Sequence, residues 1–195
     1  YGDALLFEDQ RFSYKELNNW ANQIAHYYLS IGASKGDVIA VMIENRSELI
    51  ATVIALAKIG VTSALVNTSQ VGKVLAHSIN LVNPIAIIVG EECRAAVDDI
   101  RQDLNIAEDR FHWFADKETL KDAGQAPKAY INLAKVIHDF PKFNVPTTQK
   151  VTGKDGLFYI YTSGTTGLPK AVIFTNSRWM LAFGTYGHVL NLNED

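Results

Sequence analysis

Short, almost continuously apolar runs alternate along this chain with longer segments of helical period, and few folds accommodate that alternation. Val38–Ile43, Val61–Val66 and Ile85–Val89 are too apolar for strands with one wet face, so each must be covered on both sides. Ahead of them, Leu17, Trp20, Ala21, Ile24, Ala25, Tyr28 and Leu29 keep an i, i+3, i+4 spacing, with Ser13 as N-cap and Gly32 as the stop. A second helix is expected to start from a Ser47 cap and end at Gly60. A third should carry Val71, Val74, Leu75, Ile79 and Val82 on one face and stop at Pro84. The fold class that follows is α/β, a mostly parallel sheet with helices on both faces. In the middle of the chain, Phe111–Phe114 and Tyr130–Leu133 are further strand candidates, and the prolines of 141–146 mark a loop. Phe111, Trp113 and Phe114 read as core.

Near the end of the chain, Tyr161-Thr162-Ser163-Gly164-Thr165-Thr166-Gly167-Leu168-Pro169-Lys170 lies between two strand candidates, Leu157–Ile160 and Ala171–Phe174. Gly164 and Gly167 let the backbone turn its N–H groups toward an anion, and Thr162, Ser163, Thr165 and Thr166 add short donors. Lys170 supplies a countercharge. Residues of these types between two strands suit the binding of phosphates. The spacing differs from that of the Walker A loop, since Leu168 and Pro169 separate Gly167 from Lys170 and Ala171 follows the lysine. A Ser/Thr/Gly-rich surface turn has the same composition, so the residues alone leave both readings open.

The same ten residues closely resemble the signature loop of the adenylate-forming (AMP-binding) superfamily: acyl-CoA synthetases, luciferases and peptide-synthetase adenylation domains. Gly36–Met42, Asn45-Arg46-Ser47 and Ala57–Val61 resemble the opening strand–helix–strand of that superfamily, and Phe12–Leu17 resembles its first helix start. The resemblance therefore runs along nearly the whole chain. Ala64-Leu65-Val66-Asn67-Thr68 is similar to the branch of fatty acid transport proteins and very-long-chain acyl-CoA synthetases, while Ser69-Gln70-Val71 departs from that branch. What the resemblance implies is a ligase in which a carboxylate attacks the α-phosphate of ATP with Mg²⁺ present, after which CoA displaces AMP. Thr162, Ser163, Gly164, Thr165, Thr166, Gly167 and Lys170 would hold the β- and γ-phosphates. The implied substrate is a long- or very-long-chain fatty acid. Alternatives are an amino-acid or aryl-acid adenylating enzyme, or a non-catalytic nucleotide-binding module. The superfamily's adenine, ribose and transition-state motifs lie downstream of the loop and do not occur in residues 171–195, so no catalytic residue is assigned. The expectation is an incomplete N-terminal domain spanning 1–195 of a larger acyl-CoA synthetase-like enzyme. Alone, it should be inactive and prone to self-association through unpaired edges.

Composition excludes several other classes. With 48% hydrophobic and 20% charged residues, 195 residues can bury a core, and a net charge of −3 without basic runs argues against a nucleic-acid partner. Leu49–Val66, the longest apolar stretch, is broken by Lys58, Gly60, Thr62 and Ser63 and falls short of a membrane span. Helix, Gly60, then strand fits it better. No basic leader is visible at the start, so a cytoplasmic location with room for peripheral membrane contact is expected. The single cysteine, Cys93, sits with Ala96, Val97, Ile100 and Leu104 and reads as core in a reducing compartment. His26, His77, His112, His138 and His188 lack metal-ligand spacing and read as helix-face or surface residues, with no metal site. Glu91-Glu92 and Asp98-Asp99 read as solvated pairs.

Overall fold

Ser13 decides where the first helix begins. Its hydroxyl accepts from the Glu16 N–H while the Glu16 carboxylate accepts from the Ser13 N–H, a capping box that satisfies donors the helix cannot pair internally. The computed structural model describes residues 2–115, 126–162 and 167–189. Strands β1 (Asp3–Phe7) and β2 (Gln10–Ser13) form an antiparallel hairpin that delivers the chain into α1 (Tyr14–Ser30). The chain then alternates: β3 (Val38–Met42), α2 (Ser47–Lys58), β4 (Thr62–Leu65), α3 (Gly72–Leu81), β5 (Ala86–Gly90), α4 (Arg94–Ile100) and β6 (Phe111–Phe114). After these come β7 (Ile131–Asn132), α5 (Leu133–Ile137), β8 (Gly156–Thr162), β9 (Lys170–Thr175) and α6 (Asn176–Val189).

Among the described residues, seven strands make one sheet in the order β7-β6-β5-β3-β4-β8-β9. Every neighbouring pair is parallel except β8–β9. Successive residues of a strand point to opposite faces, so β3 divides its side chains between two cores. Ile39 and Val41 join α1, α2 and α5 through Ile24, Tyr28, Ala55, Leu56 and Ile137. Ala40 and Met42 join α3 and α4 through Leu75, Ile79 and Val97. The expected helices on both faces of a mostly parallel sheet are what the chain forms. Each large side chain buried here contributes about 1.5–3 kcal/mol, and Ile24, Tyr28, Ile39, Leu56, Leu75 and Ile79 are all essentially inaccessible.

Several local expectations need correction. Arg46, not Ser47, is the cap residue of α2, and the Ser47 hydroxyl turns instead to Gln10 Oε1 at 3.2 Å. The β1–β2 hairpin ahead of Ser13 was not anticipated, because Glu8 takes a positive φ of 50° that no turn dipeptide announces. Tyr130–Leu133 yields a strand only at Ile131–Asn132. The Asn132 side chain accepts from the Lys135 N–H and caps α5, which is short and lacks a periodic signal. On α3, Leu75 and Ile79 are buried, but Val71 and Val74 are 65% and 38% exposed, so the apolar face is narrower than the spacing suggests. Phe111, Trp113 and Phe114 are core, as expected.

Candidate functional site

β8 is an interior strand for the same reason as β3: its first half, Leu157 and Phe158, is buried. It pairs in parallel with β4, Leu65 opposite Ile160, and antiparallel with β9, Thr162 opposite Lys170. The loop thus leaves and rejoins the sheet on one rung, at the carboxyl end of the parallel strands, where α/β sheets present their functional loops. Of the expected site residues, Thr162, Gly167 and Lys170 are described; Ser163, Gly164, Thr165 and Thr166 lie outside the described residues. Gly167 has φ 86°, a conformation that favours glycine. Thr162 and Lys170 are exposed.

Two cavities flank the loop's mount. One of about 480 Å³ opens beyond the ends of β3 and β4 and is lined by Ile43, Glu44, Asn45, Leu65, Asn67 and Thr68. Asn67 is held in a turn, its Oδ1 accepting from the Ser69 N–H at 2.9 Å. Register places this cavity at the same sheet end as Thr162. The other, about 640 Å³, lies between α3 and the β8–β9 pair, with His77, Leu81, Tyr159, Leu168, Pro169 and Lys170 around it. Tyr161 donates its hydroxyl to the Ser78 carbonyl at 2.9 Å, and His77 Nε2 donates to the Pro169 carbonyl at 3.3 Å. Sequence reasoning gave His77 no role, since nothing in its spacing couples it to a loop far along the chain.

The strand order reverses between β3 and β5, and a doubly wound sheet commonly binds its ligand in the crevice at that point. Here the crevice is occupied by the chain's own charges. Arg46 lies 3.2 Å from Glu48 and 3.3 Å from Glu92, and it donates to the carbonyls of Ala115 and Phe114 at 2.7 and 3.2 Å. Glu92 also accepts from the Glu44 N–H at 2.8 Å. Burial lifts the Glu48 carboxyl above its usual value despite the facing Arg46. A Cβ at Gly90 would meet the Glu92 carboxylate, so a larger residue there would displace that carboxylate from the cluster. The expectation of a solvated Glu91-Glu92 pair holds only in part: neither is buried, but Glu92 closes this cluster and Glu91 accepts from Trp113 Nε1 at 2.6 Å.

His112 corrects a further expectation. It is fully buried on β6 rather than on a helix face or the surface, with its Nε2 2.8 Å from the Tyr27 hydroxyl, and burial lowers its pKa to about 4. Cys93 is core as expected, its thiol pushed up to about 12 by burial and by Glu92 and Glu44. Among the described residues no group of three or more His, Cys, Asp or Glu is placed to hold a metal ion, and no helix is long and apolar enough to cross a membrane.

Comparison with known proteins agrees with this geometry. The chain is 32% identical over 96% of its length to the medium/long-chain-fatty-acid–CoA ligase FadD6 of Mycobacterium tuberculosis (strain ATCC 25618 / H37Rv), covering 29% of that protein. It is 33% identical over 94% of its length to long-chain fatty acid transport protein 1 of Rattus norvegicus, covering 28% of it. The chain thus spans less than a third of the curated relatives it matches. Among solved structures, the anthranilate CoA ligase AuaEII in complex with anthranoyl-AMP shares the fold at TM-score 0.82 and 20% identity, over 95% of this chain and 34% of that one. The Brucella canis acyl-CoA synthetase shares it at TM-score 0.72 and 20% identity, over 91% and 30%. Residues 2–194 match the family described as AMP-binding enzyme, and with the sheet, the loop's mount and these likenesses in accord, the chain belongs to that family.

Proposed function

We propose that these residues are the phosphate-binding part of the N-terminal domain of an ATP-dependent ligase that converts a long- or very-long-chain fatty acid to its acyl-adenylate and then to acyl-CoA. The observation that carries the reading is the shared rung of Thr162 and Lys170 at the carboxyl end of the sheet. From that rung a hydroxyl and an ammonium reach the same side of the sheet, and the glycines and hydroxyls of 163–167 complete a set suited to a polyphosphate. Among the described residues, Lys170 has no ion-pair partner, so its charge is available to a phosphate. The fatty-acid assignment is supported by the names of the relatives and by Asn67-Thr68.

In this reading the chain's own residues neutralise and orient the β- and γ-phosphates so that the α-phosphorus faces the incoming carboxylate; the leaving group is pyrophosphate. Mg²⁺ would arrive with the triphosphate, and no described residue is assigned to it. The 195 residues alone hold one wall of the site and should not complete the reaction. The test is fatty-acid-dependent exchange of labelled pyrophosphate into ATP by the enzyme-length protein, with Lys170→Ala as the comparison. Exchange that needs a fatty acid and collapses in the variant supports the proposal, and exchange that is indifferent to Lys170 removes it.

A further inference from the structure

The loop's two ends touch one helix at adjacent positions. Tyr161, immediately before Thr162, donates to the carbonyl of Ser78, and Pro169, immediately before Lys170, accepts from His77. The Ser78 carbonyl belongs to the last turn of α3, where a helix leaves its own acceptors without intrahelical partners, so Tyr161 supplies what the helix lacks. α3 is itself fixed, because Leu75 and Ile79 are fully buried against the sheet. Burial pushes the Tyr161 hydroxyl above its ordinary range and keeps it a donor.

We propose that α3 is the rigid mount of the phosphate loop, and that Tyr161 and His77 are positioning residues that clamp its near and far ends. The inference rests on the loop assignment made above. β8–β9 pairing fixes the separation of the two strands, but a two-stranded pair at a sheet's edge still twists and tilts. Two hydrogen bonds to a third element remove that freedom one residue away from each of Thr162 and Lys170. Charge stabilisation of the pyrophosphate leaving group falls steeply with misplacement, so such a clamp acts on phosphate binding rather than on the acyl substrate.

The experiment uses the enzyme-length protein and the reverse half-reaction, ATP formation from acyl-adenylate and pyrophosphate. Tyr161→Phe and His77→Leu should each raise KM for pyrophosphate roughly three- to tenfold, the worth of one hydrogen bond, with KM for the acyl-adenylate unchanged. His77→Gln, whose amide can donate to the same carbonyl, should restore most of the loss. Thermal melting of each variant separates positioning from folding. If Lys170→Ala raises KM for pyrophosphate while the Tyr161 and His77 variants do not, or if they weaken both substrates alike with a lowered Tm, the clamp is refuted. If Lys170→Ala also leaves KM for pyrophosphate unchanged, the loop assignment itself has failed and the clamp falls with it.

Discussion

Thr162 and Lys170 face each other across the β8–β9 ladder, so the last residue of one strand and the first of the next present their side chains on the same side of the sheet. Because both are exposed, substitution there should act on chemistry and spare the fold. Lys170→Ala in the enzyme-length protein is expected to lower pyrophosphate exchange roughly a hundredfold or more, with little change in Tm. Gly164→Val should do the same by blocking close backbone approach, although Gly164 lies outside the described residues. Near wild-type exchange in both variants would remove the phosphate role.

Substrate class is a separate expectation. Comparing CoA thioester formation from palmitate, benzoate and amino acids should show fatty acid preferred, in line with the relatives and Asn67-Thr68. An aryl or amino acid as the best substrate would leave the loop assignment standing and reject the fatty-acid one.

Acid should weaken the fold through His112. Its pKa falls from an ordinary 6.5 to about 4, chiefly because burial disfavours the charged ring. The folded state therefore binds fewer protons than the unfolded chain between those values, and stability drops as pH falls through that window. A shift of this size corresponds to about 3 kcal/mol. Urea unfolding at pH 7 and pH 4 should show His112→Gln losing about that much less than the wild-type chain, since glutamine keeps a partner for Tyr27 without titrating. Equal losses in both would show that other groups carry the acid sensitivity.

The charge cluster between β3 and β5 makes a sharper stability prediction. Arg46→Ala strands the buried Glu48 carboxylate and removes the partner of the less buried Glu92, and should cost about 3 kcal/mol in urea unfolding, whereas a surface pair such as Arg11 with Asp3 should cost under about 1 kcal/mol. Arg46→Lys should rescue little, because one ammonium cannot reach both carboxylates and the carbonyls of Phe114 and Ala115 together. A small effect for Arg46→Ala would mean that water replaces the guanidinium.

The 195-residue chain by itself should associate. On α6, Met180, Leu181 and Phe183 are 71%, 74% and 58% exposed, and β9, at the edge of the sheet among the described residues, exposes Val172 on one face and Ile173 on the other, each at 40%. Light scattering should report species larger than a monomer, and an assay for AMP release should find no acyl-CoA formation. A monomer that turns over ATP with a fatty acid and CoA would overturn both expectations.

What the sequence made legible was set by how local the signal is. The helix from Ser13 to Gly32 and the strands at Val38, Thr62 and Ala86 rest on cap chemistry and apolar runs within a few residues of one another, and they form where expected. For the loop, residue chemistry alone left a phosphate site and a surface turn both open, and only the resemblance of Tyr161–Lys170 to a known signature favoured the first. Arg46, Glu92, His77 and His112 escaped because their partners lie at Ala115, Glu44, Pro169 and Tyr27, contacts that only the folded sheet creates. Adjacent acids such as Glu91 and Glu92 look solvated in a linear chain. In the fold, one is drawn to an indole and the other to a guanidinium.

β8 pairs with β4 across a long stretch of intervening chain, Leu65 meeting Ile160, while β3, β4 and β5 lie close together in sequence. Distant pairing must overcome more closure entropy than neighbouring pairing, so the strands up to β6 can assemble while the β8–β9 hairpin is still undocked. The edge that carries the loop between Thr162 and Lys170 is therefore the last part of this sheet to be completed as the chain leaves the ribosome. If the proposed reading holds, a destabilising change in β8 costs the protein its hold on phosphate before it costs the protein its core, and such a variant accumulates as a folded body without that function.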